Sequence, residues 1–336
     1  MGGAGAKAAC TWHLKIIKRC DCMPKYGEVI YCALLKTVAI LICRKQEVQA
    51  AFNSIQNLCR IERYGCGALV HTNEELYGMN AIADVQSSQD LRNIPIDQVG
   101  IKDLRFPIRI QSQSGEQSTV ARLTMTVFLP ADQKGTHMSR FVALMEEQQA
   151  AFSAAELQRL TEKMLARLDS DAGKISASFP FFRTKTAPVS GIRSLLDYDV
   201  SLSCEIRNGA AKSSLHVVVP VTSLCPCSKE ISQYGAHNQR SHVTVRLHTN
   251  APVEIEEVLD WVEGQASCQL YGLLKRPDEK YVTERAYDNP KFVEDMVRDI
   301  ALILQQDARI ESFELESENF ESIHNHSAYA VICWQR

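Results

Sequence analysis

The sequence of residues 79–336 predicts an α+β domain built from two related halves, at about 95–190 and 191–336. Runs in which apolar and polar residues alternate with a period of two predict strands, and apolar residues three and four positions apart predict amphipathic helices. These elements follow one another in the order strand-strand-helix-helix-strand, and that order occurs twice. A chain ordered in this way is typical of the α+β class.

The first half begins after a polar lead-in over 83–100. It contains two strands separated by the tetrapeptide Ser-Gly-Glu-Gln, then two helices and a third strand. The strands are predicted at 103–112, 119–130 and 174–185, and the helices at 137–148 and 155–168.

The second half opens on a hairpin whose turn is Asn208-Gly209, a dipeptide that favours tight two-residue turns. Further strands and two helices follow. The strands are predicted at 198–209, 213–223, 242–249, 309–318 and 327–334, and the helices at 254–264 and 290–304. For the last helix, Asn289 is the predicted N-cap and Pro290 the predicted first residue.

Residues 1–78 differ in composition from the rest of the chain. They hold seven of the twelve cysteines and carry 10 Lys and Arg against 6 Asp and Glu. Their one apolar run, 29–43, contains Lys36 and is shorter than the ~20 residues that span a bilayer. We interpret this segment as an N-terminal extension outside the catalytic fold, with Met79 as the natural start.

Charge and cysteine usage exclude several classes of protein. A net charge of -3 argues against a nucleic-acid binder that works by neutralising phosphates. The five cysteines after position 78 are odd in number and suggest no disulfide framework. We therefore expect a reduced, cytoplasmic protein that binds neither nucleic acid nor membrane.

A cysteine pair and a histidine lie in one polar stretch, predicted as a loop over 223–241. Cys225 and Cys227 flank a proline, and His237 follows twelve residues after Cys225. The spacing is not that of a zinc-finger half-site, which needs a second pair of ligands. We expect only one of the two cysteines to act at a given site. An inert thiol beside a surface histidine explains this stretch equally well.

Carboxylates in the region 273–298 supply possible partners. Glu279 and Glu284 are predicted in a polar loop, where a carboxylate is usually only solvated. Glu294 is predicted on the second turn of the following helix, at the border of its buried face. The simplest alternative for Glu294 is an exposed ion pair with Arg298, worth about 0.3–0.5 kcal/mol.

A third cluster precedes the last predicted strand. Glu321, His324 and His326 lie within six residues of one another there. Two histidines spaced by two at the end of a strand share a face, so a functional histidine beside a carboxylate is plausible.

Together these clusters can supply one thiolate, one imidazole and one carboxylate. Three protein ligands leave a fourth position for water, which is the arrangement of catalytic metal sites. A metal bound in this way lowers the pKa of its water from about 15.7 towards 7. His324 is then placed to move protons.

Four segments resemble the type IB GTP cyclohydrolase I family. They are GTHMSRF (135–141), CPCSKEISQYGAHNQRS (225–241), LLKRPDEKYVTERAYDNPKFVEDMVRD (273–299) and ESIHNHSAYA (321–330). The resemblance runs from about Ala83 to the C-terminus, and residues 1–78 have no counterpart in it.

The resemblance implies the tunnelling fold, with two strand-strand-helix-helix-strand-strand halves whose sheets join between subunits into a barrel. It further implies a homotetramer with active sites at subunit interfaces. The implied reaction converts GTP and water into 7,8-dihydroneopterin triphosphate and formate, the first step towards tetrahydrofolate. The implied cofactor is a divalent ion, and a mixed sulfur, nitrogen and oxygen shell accepts zinc, manganese or iron.

The resemblance also assigns roles at the reacting centre. Cys225 looks like the family's key metal-binding cysteine, with His237 as the second ligand and Glu279 as the third. Glu321 and His324 are candidates for the proton transfers of the later steps.

Substrate contacts are implied in the same way. Glu294 resembles the carboxylate that anchors the heterocycle, since two oxygens can accept from guanine N1–H and the exocyclic amine. Arg240 and Arg276 are candidate partners of the triphosphate, together with Lys275 and Arg140.

Three other functions compete with this interpretation. One is a tunnelling-fold nitrile reductase of the queuosine pathway, which uses a cysteine nucleophile and NADPH, although its cofactor-binding motif is not found here. The second is a non-catalytic module in which Cys225, Cys227 and His237 hold a structural metal. The third is a cysteine hydrolase that uses Cys225 with His237 as its base.

Overall fold

A computed structural model describes residues 84–86 and 88–336. These belong to a compact unit, Ala83–Arg336. The predictions for residues 1–78, including the apolar run 29–43, lie outside the described residues.

The described residues form nine strands and six helices. The strands are β1 Ile96–Ser112, β2 Gly115–Leu129, β3 Ala172–Thr186, β4 Arg193–Arg207, β5 Ala210–Leu224, β6 Asn238–Thr249, β7 Cys268–Gln269, β8 Ile310–Asn319 and β9 Ala328–Gln335. The helices are α1 Met138–Glu146, α2 Ala154–Leu168, α3 Pro226–Ile231, α4 Ile255–Gln265, α5 Arg276–Asp288 and α6 Val293–Gln306.

All nine strands join one antiparallel sheet in the order β1-β2-β3-β4-β5-β6-β8-β9, with the short β7 paired to β5. Helix α2 packs on β3 and β4, α4 on β5, and α6 on β8 and β9. The prediction of a mixed α and β protein is confirmed, and the structure adds that its sheet is large and antiparallel throughout.

One continuous core lies between the sheet and its helices. Alternate residues of β2 such as Leu123 and Met125 are buried, and Leu157, Leu160 and Met164 on α2 are buried at helical spacing. Each such side chain contributes about 1.5–3 kcal/mol when it leaves water. The period of two in the strands and of 3.6 in the helices therefore reflects one shared apolar layer.

The hairpin between β4 and β5 turns at the predicted dipeptide. Asn208 and Gly209 have φ of 53° and 74°, and Arg207 pairs with Ala210 across the turn. Two consecutive left-handed residues match the right-handed twist of the flanking strands. The turn therefore follows from its own sequence.

The element order strand-strand-helix-helix-strand-strand appears first in β1, β2, α1, α2, β3 and β4. A second set, interrupted by α3, β7 and α5, runs from β5 to β9. This order would divide the chain at the Asn208-Gly209 turn, whereas the sequence-based division falls near residue 190. That division stays a prediction.

The polar segment before the last helix was wrongly predicted as a loop. It forms the 13-residue helix α5, in which only Asp278 and Ala286 are buried. So few buried positions leave no apolar period to detect. Pro277 in the first turn, followed by Asp278 and Glu279, is nevertheless a typical helix start.

The start of α6 also differs from the prediction. The helix begins at Val293 rather than Pro290, and its N-cap is Phe292 rather than Asn289. The backbone N–H of Lys291 donates to Leu224 O at 3.1 Å, and Asn289 Nδ2 donates to Ala266 O at 2.9 Å. These bonds hold the preceding segment to the end of β5 and to the C-cap of α4, so tertiary contacts override the local Asn-Pro signal.

None of the helices in 84–86 and 88–336 is long and apolar enough to cross a membrane.

Candidate active site

Cys225 lies at the junction of β5 and α3, where it acts as the N-cap of that short helix. Its Sγ accepts a hydrogen bond from Ser228 N–H at 3.4 Å, and Ser228 Oγ donates to Cys225 O at 3.1 Å. Pro226 follows as the first helical residue, a position where its missing N–H costs nothing. The half-buried thiol is thus held in one place, whereas Cys227 is exposed and both are free.

His237 is tied to Cys225 through the backbone. The N–H of Cys225 donates to His237 O at 3.3 Å. The next pair along, Leu224 and Asn238, is in register where β5 meets β6. The sheet therefore brings together the two residues that the sequence places twelve positions apart.

Three side-chain oxygens surround one nitrogen of the His237 ring. Nδ1 lies 3.0 Å from Gln239 Oε1, 3.2 Å from Ser322 Oγ and 4.0 Å from Glu321 Oε2. A histidine whose Nδ1 carries the proton presents its other nitrogen as a lone pair, which is how imidazole binds a metal.

The segment 320–327 reaches this site because it is attached to the start of β6. Phe320 N–H donates to Arg240 O at 3.0 Å, and the Phe320 ring packs edge-on to His242 at 4.8 Å. Burial, reinforced by the charge of Arg240, lowers the pKa of His242. The structure thus brings Glu321 to His237, a contact between clusters 84 residues apart.

His324 and His326 are exposed in the segment before β9, and their rings stack with centroids 5.1 Å apart. The two histidines were expected to share a face at the end of a strand. They lie ahead of the strand rather than on its end, since β9 begins at Ala328.

Helix α5 is anchored at its N-terminus by Asp278, the residue before Glu279. The Asp278 carboxylate accepts from Val189 N, Ser190 N and Lys275 N at 2.8–2.9 Å and from Ser190 Oγ at 2.6 Å. Burial alone would raise the pKa of Asp278, but these hydrogen bonds outweigh it and hold the pKa well below its usual range. Four bonds to one carboxylate fix where α5 begins.

The middle of α5 packs beside the Cys225 junction. Leu224, Cys268 and Ala286 form a small core, and Ala236 and Val282 pack against it. Val282 lies one helical turn after Glu279, so the two residues share a face of α5. The C-terminal end is held as well, because Lys229 Nζ donates to Tyr287 O at 2.5 Å.

Several predicted site residues are exposed and unpaired. Among the described residues, the side chains of Glu279, Glu294 and Arg276 make no hydrogen bond or ion pair, and Arg240 is also exposed. Glu294 was predicted on the second turn at the border of the buried face. It lies in the first turn of α6 and is exposed, without the Arg298 ion pair that was its simplest alternative.

Within one chain, the described residues contain no group of three His, Cys, Asp or Glu side chains arranged to hold a metal ion. Cys225 and His237 are neighbours, but a shared shell with Glu279 stays a prediction. The donor set suits a divalent ion: a free thiol, an imidazole with one nitrogen already engaged, and a carboxylate with no protein partner.

Two residues at the site were missed by sequence reasoning. Asp278 could have been found from Pro277 and the acidic pair that follows it, which together mark a helix N-terminus. Gln239 has no such signal, because a glutamine at the start of a strand carries no motif. The importance of Gln239 follows only from the contacts of its side chain with His237 and Glu321.

Comparison with known proteins covers most of the described region. A family model described as "Type I GTP cyclohydrolase folE2" matches residues 82–330. The protein "GTP cyclohydrolase FolE2" of Neisseria gonorrhoeae is 75% identical over 256 residues, which cover 76% of this chain and all of that protein. The protein of the same name from Herminiimonas arsenicoxydans is 60% identical over 254 residues, covering 76% of this chain and 97% of its own.

Among solved structures, a uricase from Arthrobacter globiformis aligns with a TM-score of 0.43 and 12% identity, covering 74% of this chain and 94% of its own. Urate oxidase from Bacillus subtilis 168 aligns with a TM-score of 0.42 and 8% identity, covering 71% and 98%.

Proposed function

This chain belongs to the type I GTP cyclohydrolase FolE2 family, and we propose that it converts GTP and water into 7,8-dihydroneopterin triphosphate and formate with the help of a divalent metal ion. The proposed reaction rests on the family match. The proposed site rests on Cys225, which is the N-cap of α3 and whose backbone N–H donates to His237 O.

Cys225, His237 and Glu279 are proposed to hold the ion, which is zinc, manganese or iron. When bound, such an ion acts as a Lewis acid and lowers the pKa of a coordinated water, supplying hydroxide for attack on C8 of guanine. Support comes from the free donor set and from Val282, which packs near Cys225 on the same face of α5 as Glu279.

Glu294 is proposed to anchor the guanine. Its carboxylate is exposed in the first turn of α6, where the helix dipole stabilises the negative charge. Two oxygens can accept from N1–H and the exocyclic amine at once, a paired contact that a single neutral acceptor cannot make.

The remaining steps are proton transfers and binding of the phosphates. Glu321 lies 4.0 Å from His237, and His324 follows three residues later in the same segment, so both are proposed to move protons. Arg240 and Arg276 are exposed and are proposed to contact the triphosphate, whose charge demands cations.

We further propose that the enzyme is a homotetramer whose active sites lie at subunit interfaces. Large apolar side chains are exposed around the candidate site, including Ile231, Tyr234, Tyr281, Phe292 and Ile323. Apolar side chains clustered on a surface mark interaction sites. A second subunit covering them would also exclude water from the reacting groups.

The experiment that tests this function is turnover of GTP by metal-stripped protein, with formate and the pterin product measured separately. Zinc, manganese and iron are then added one at a time, with magnesium as the control ion. We expect no product without metal and both products in equal amounts after restoration. Full turnover in a strong chelator would favour the cysteine hydrolase instead.

Residues 1–78 are proposed to have no part in the reaction, since the family match begins at residue 82. Deleting them is expected to leave GTP turnover and metal content unchanged.

A further inference from the structure

The side chain of Gln239 lies between a proposed metal ligand and a proposed catalytic carboxylate. Its Oε1 is 3.0 Å from His237 Nδ1, and its Nε2 donates to Glu321 Oε1 at 3.5 Å. Gln239 is only 8% exposed, so little water reaches it to replace either bond. No role for this residue follows from the proposed reaction.

The orientation of the Gln239 amide follows from what lies on its two sides. A carboxylate only accepts hydrogen bonds, so the NH₂ group of Gln239 must face Glu321. The amide oxygen then faces His237, and because that oxygen can only accept, Nδ1 must carry the proton. The reversed amide would set its oxygen against the Glu321 carboxylate, which costs energy in a buried place.

Ser322 cannot impose the same choice on the ring. Its Oγ lies 3.2 Å from Nδ1, but a hydroxyl can donate or accept and so tolerates either tautomer. The position of Gln239 is also the more rigid of the two. It is a residue of β6 paired with Ser223 of β5, whereas Ser322 is exposed in the segment before β9.

We propose that Gln239, oriented by Glu321, is a positioning residue that holds His237 in the tautomer with a free Nε2 lone pair and so presents that nitrogen to the metal. The inference rests on the proposed function, because it assumes that His237 is a ligand. By orienting Gln239, Glu321 would affect metal binding in addition to any proton transfer that it performs.

The test is metal affinity rather than turnover. Zinc is titrated into the metal-stripped full chain in competition with a chelating dye, for the wild type and two variants. Gln239→Leu keeps the size of the side chain and removes both bonds. Ser322→Ala removes the other neighbour of Nδ1 and is the control.

Gln239→Leu should bind zinc about 10–100-fold more weakly, the usual cost of losing the partner of a ligating histidine. Ser322→Ala should stay close to the wild type. Absorption spectra of the cobalt-loaded proteins report on the geometry of the metal ligands and not on the overall stability of the fold. These spectra should change in Gln239→Leu alone.

Wild-type affinity in Gln239→Leu, or a loss in Ser322→Ala as large as in Gln239→Leu, would overturn the proposal. If Gln239→Leu does not fold, Glu321→Gln replaces it, because a neutral amide no longer orients Gln239. Zinc affinity should then fall, and unchanged affinity would count against the inference. Failure of the wild type to bind zinc would instead refute the proposed metal site.

Discussion

Two polar clusters of this molecule differ in how fully their groups are paired. One is the candidate active site, where the carboxylates of Glu279 and Glu294 have no protein partner among the described residues. The other, which we call the Lys185 cluster, consists of Arg183, Lys185, Tyr198, Asp260, Glu263 and Gln269. It lies between the ends of β3 and α4.

The Lys185 cluster is built around a buried ion pair. Lys185 Nζ lies 2.5 Å from Glu263 Oε2 and also donates to Gln269, and both charged side chains are 6% exposed. Tyr198 Oη donates to the other Glu263 oxygen at 2.6 Å. Burial lowers the pKa of Lys185, although Glu263 opposes it, and burial together with Glu263 raises the pKa of Tyr198.

The comparison of the two clusters indicates which polar groups are available to bind a ligand. A buried charge is tolerated only when its partners are present, and Glu263 uses both of its oxygens within the chain. The exposed carboxylates of the candidate site avoid the burial cost and keep their oxygens available. The Lys185 cluster therefore serves the fold, and the candidate active site is suited to a metal and a substrate.

The largest expected effect lies in the candidate site. Cys225→Ala should reduce GTP turnover by at least about a thousandfold, because the proposed catalytic ion would lose the thiolate among its three protein ligands. Cys227→Ala, two residues away and exposed, is the control and should keep nearly full turnover. Metal content measured on both proteins separates lost binding from lost chemistry. A fully active Cys225→Ala enzyme would contradict the assignment of Cys225 to the active site.

A second change breaks the Lys185 cluster. Glu263→Ala leaves the Lys185 ammonium buried without its counter-charge, which costs about 3–5 kcal/mol. The free energy of unfolding at fixed subunit concentration should fall by that amount, with turnover per folded molecule unchanged. Asp260→Ala is the matched control, since Asp260 pairs with Arg183 but is 59% exposed. Equal losses in the two variants would show that burial does not distinguish the pairs.

A third change removes the charge of Asp278, which anchors α5 next to the proposed ligand Glu279. Asp278 has a lowered pKa in the folded protein, so its stabilisation is complete above the ordinary value of 3.8 and is lost as the pH falls. Asp278→Asn should therefore unfold more easily than the wild type at pH 7, and the difference should narrow below about pH 4. Melting curves across pH measure this.

The control for that variant is Asp288→Asn at the exposed opposite end of α5, which should melt like the wild type at every pH. A difference between Asp278→Asn and the wild type that stays constant down to pH 2 would show that the charge of Asp278 is not what anchors the helix.

The smallest expected effect is at a turn remote from both clusters. Gly209→Ala should cost about 1–2 kcal/mol, because φ of 74° is strained for any residue with a Cβ. Gly264→Ala, in α4 with open space around the new methyl, should instead stabilise the protein by about 0.4–1 kcal/mol. Chemical denaturation measures both, and equal signs would contradict the conformational argument.

Sequence reasoning succeeded where local pattern and burial agree. Eight of the nine described strands were found from their alternation of apolar and polar residues, and α1, α2 and α4 were found from their apolar stripes. The short strand β7 was missed, and so was α3, which lies within the stretch 223–241 that was predicted as a loop. It failed at α5, where only two residues are buried, and at Pro290, where the backbone of Lys291 bonds to Leu224 instead of starting a helix. Cys225 and His237 were found together because they lie in one short stretch, whereas Asp278 and Gln239 were missed.

By itself, the amino-acid sequence determined the alternation of strands and helices, the Asn208-Gly209 turn and the residue types that we propose to hold a metal ion. Those features depend on residues a few positions apart, and their spacing can be seen directly in the sequence. Only the tertiary structure decided that Glu321 meets His237 through Gln239 and that Asp278 anchors α5 to the loop after β3. Such contacts join segments about 80–90 residues apart, and their geometry exists only once the antiparallel sheet has set its register.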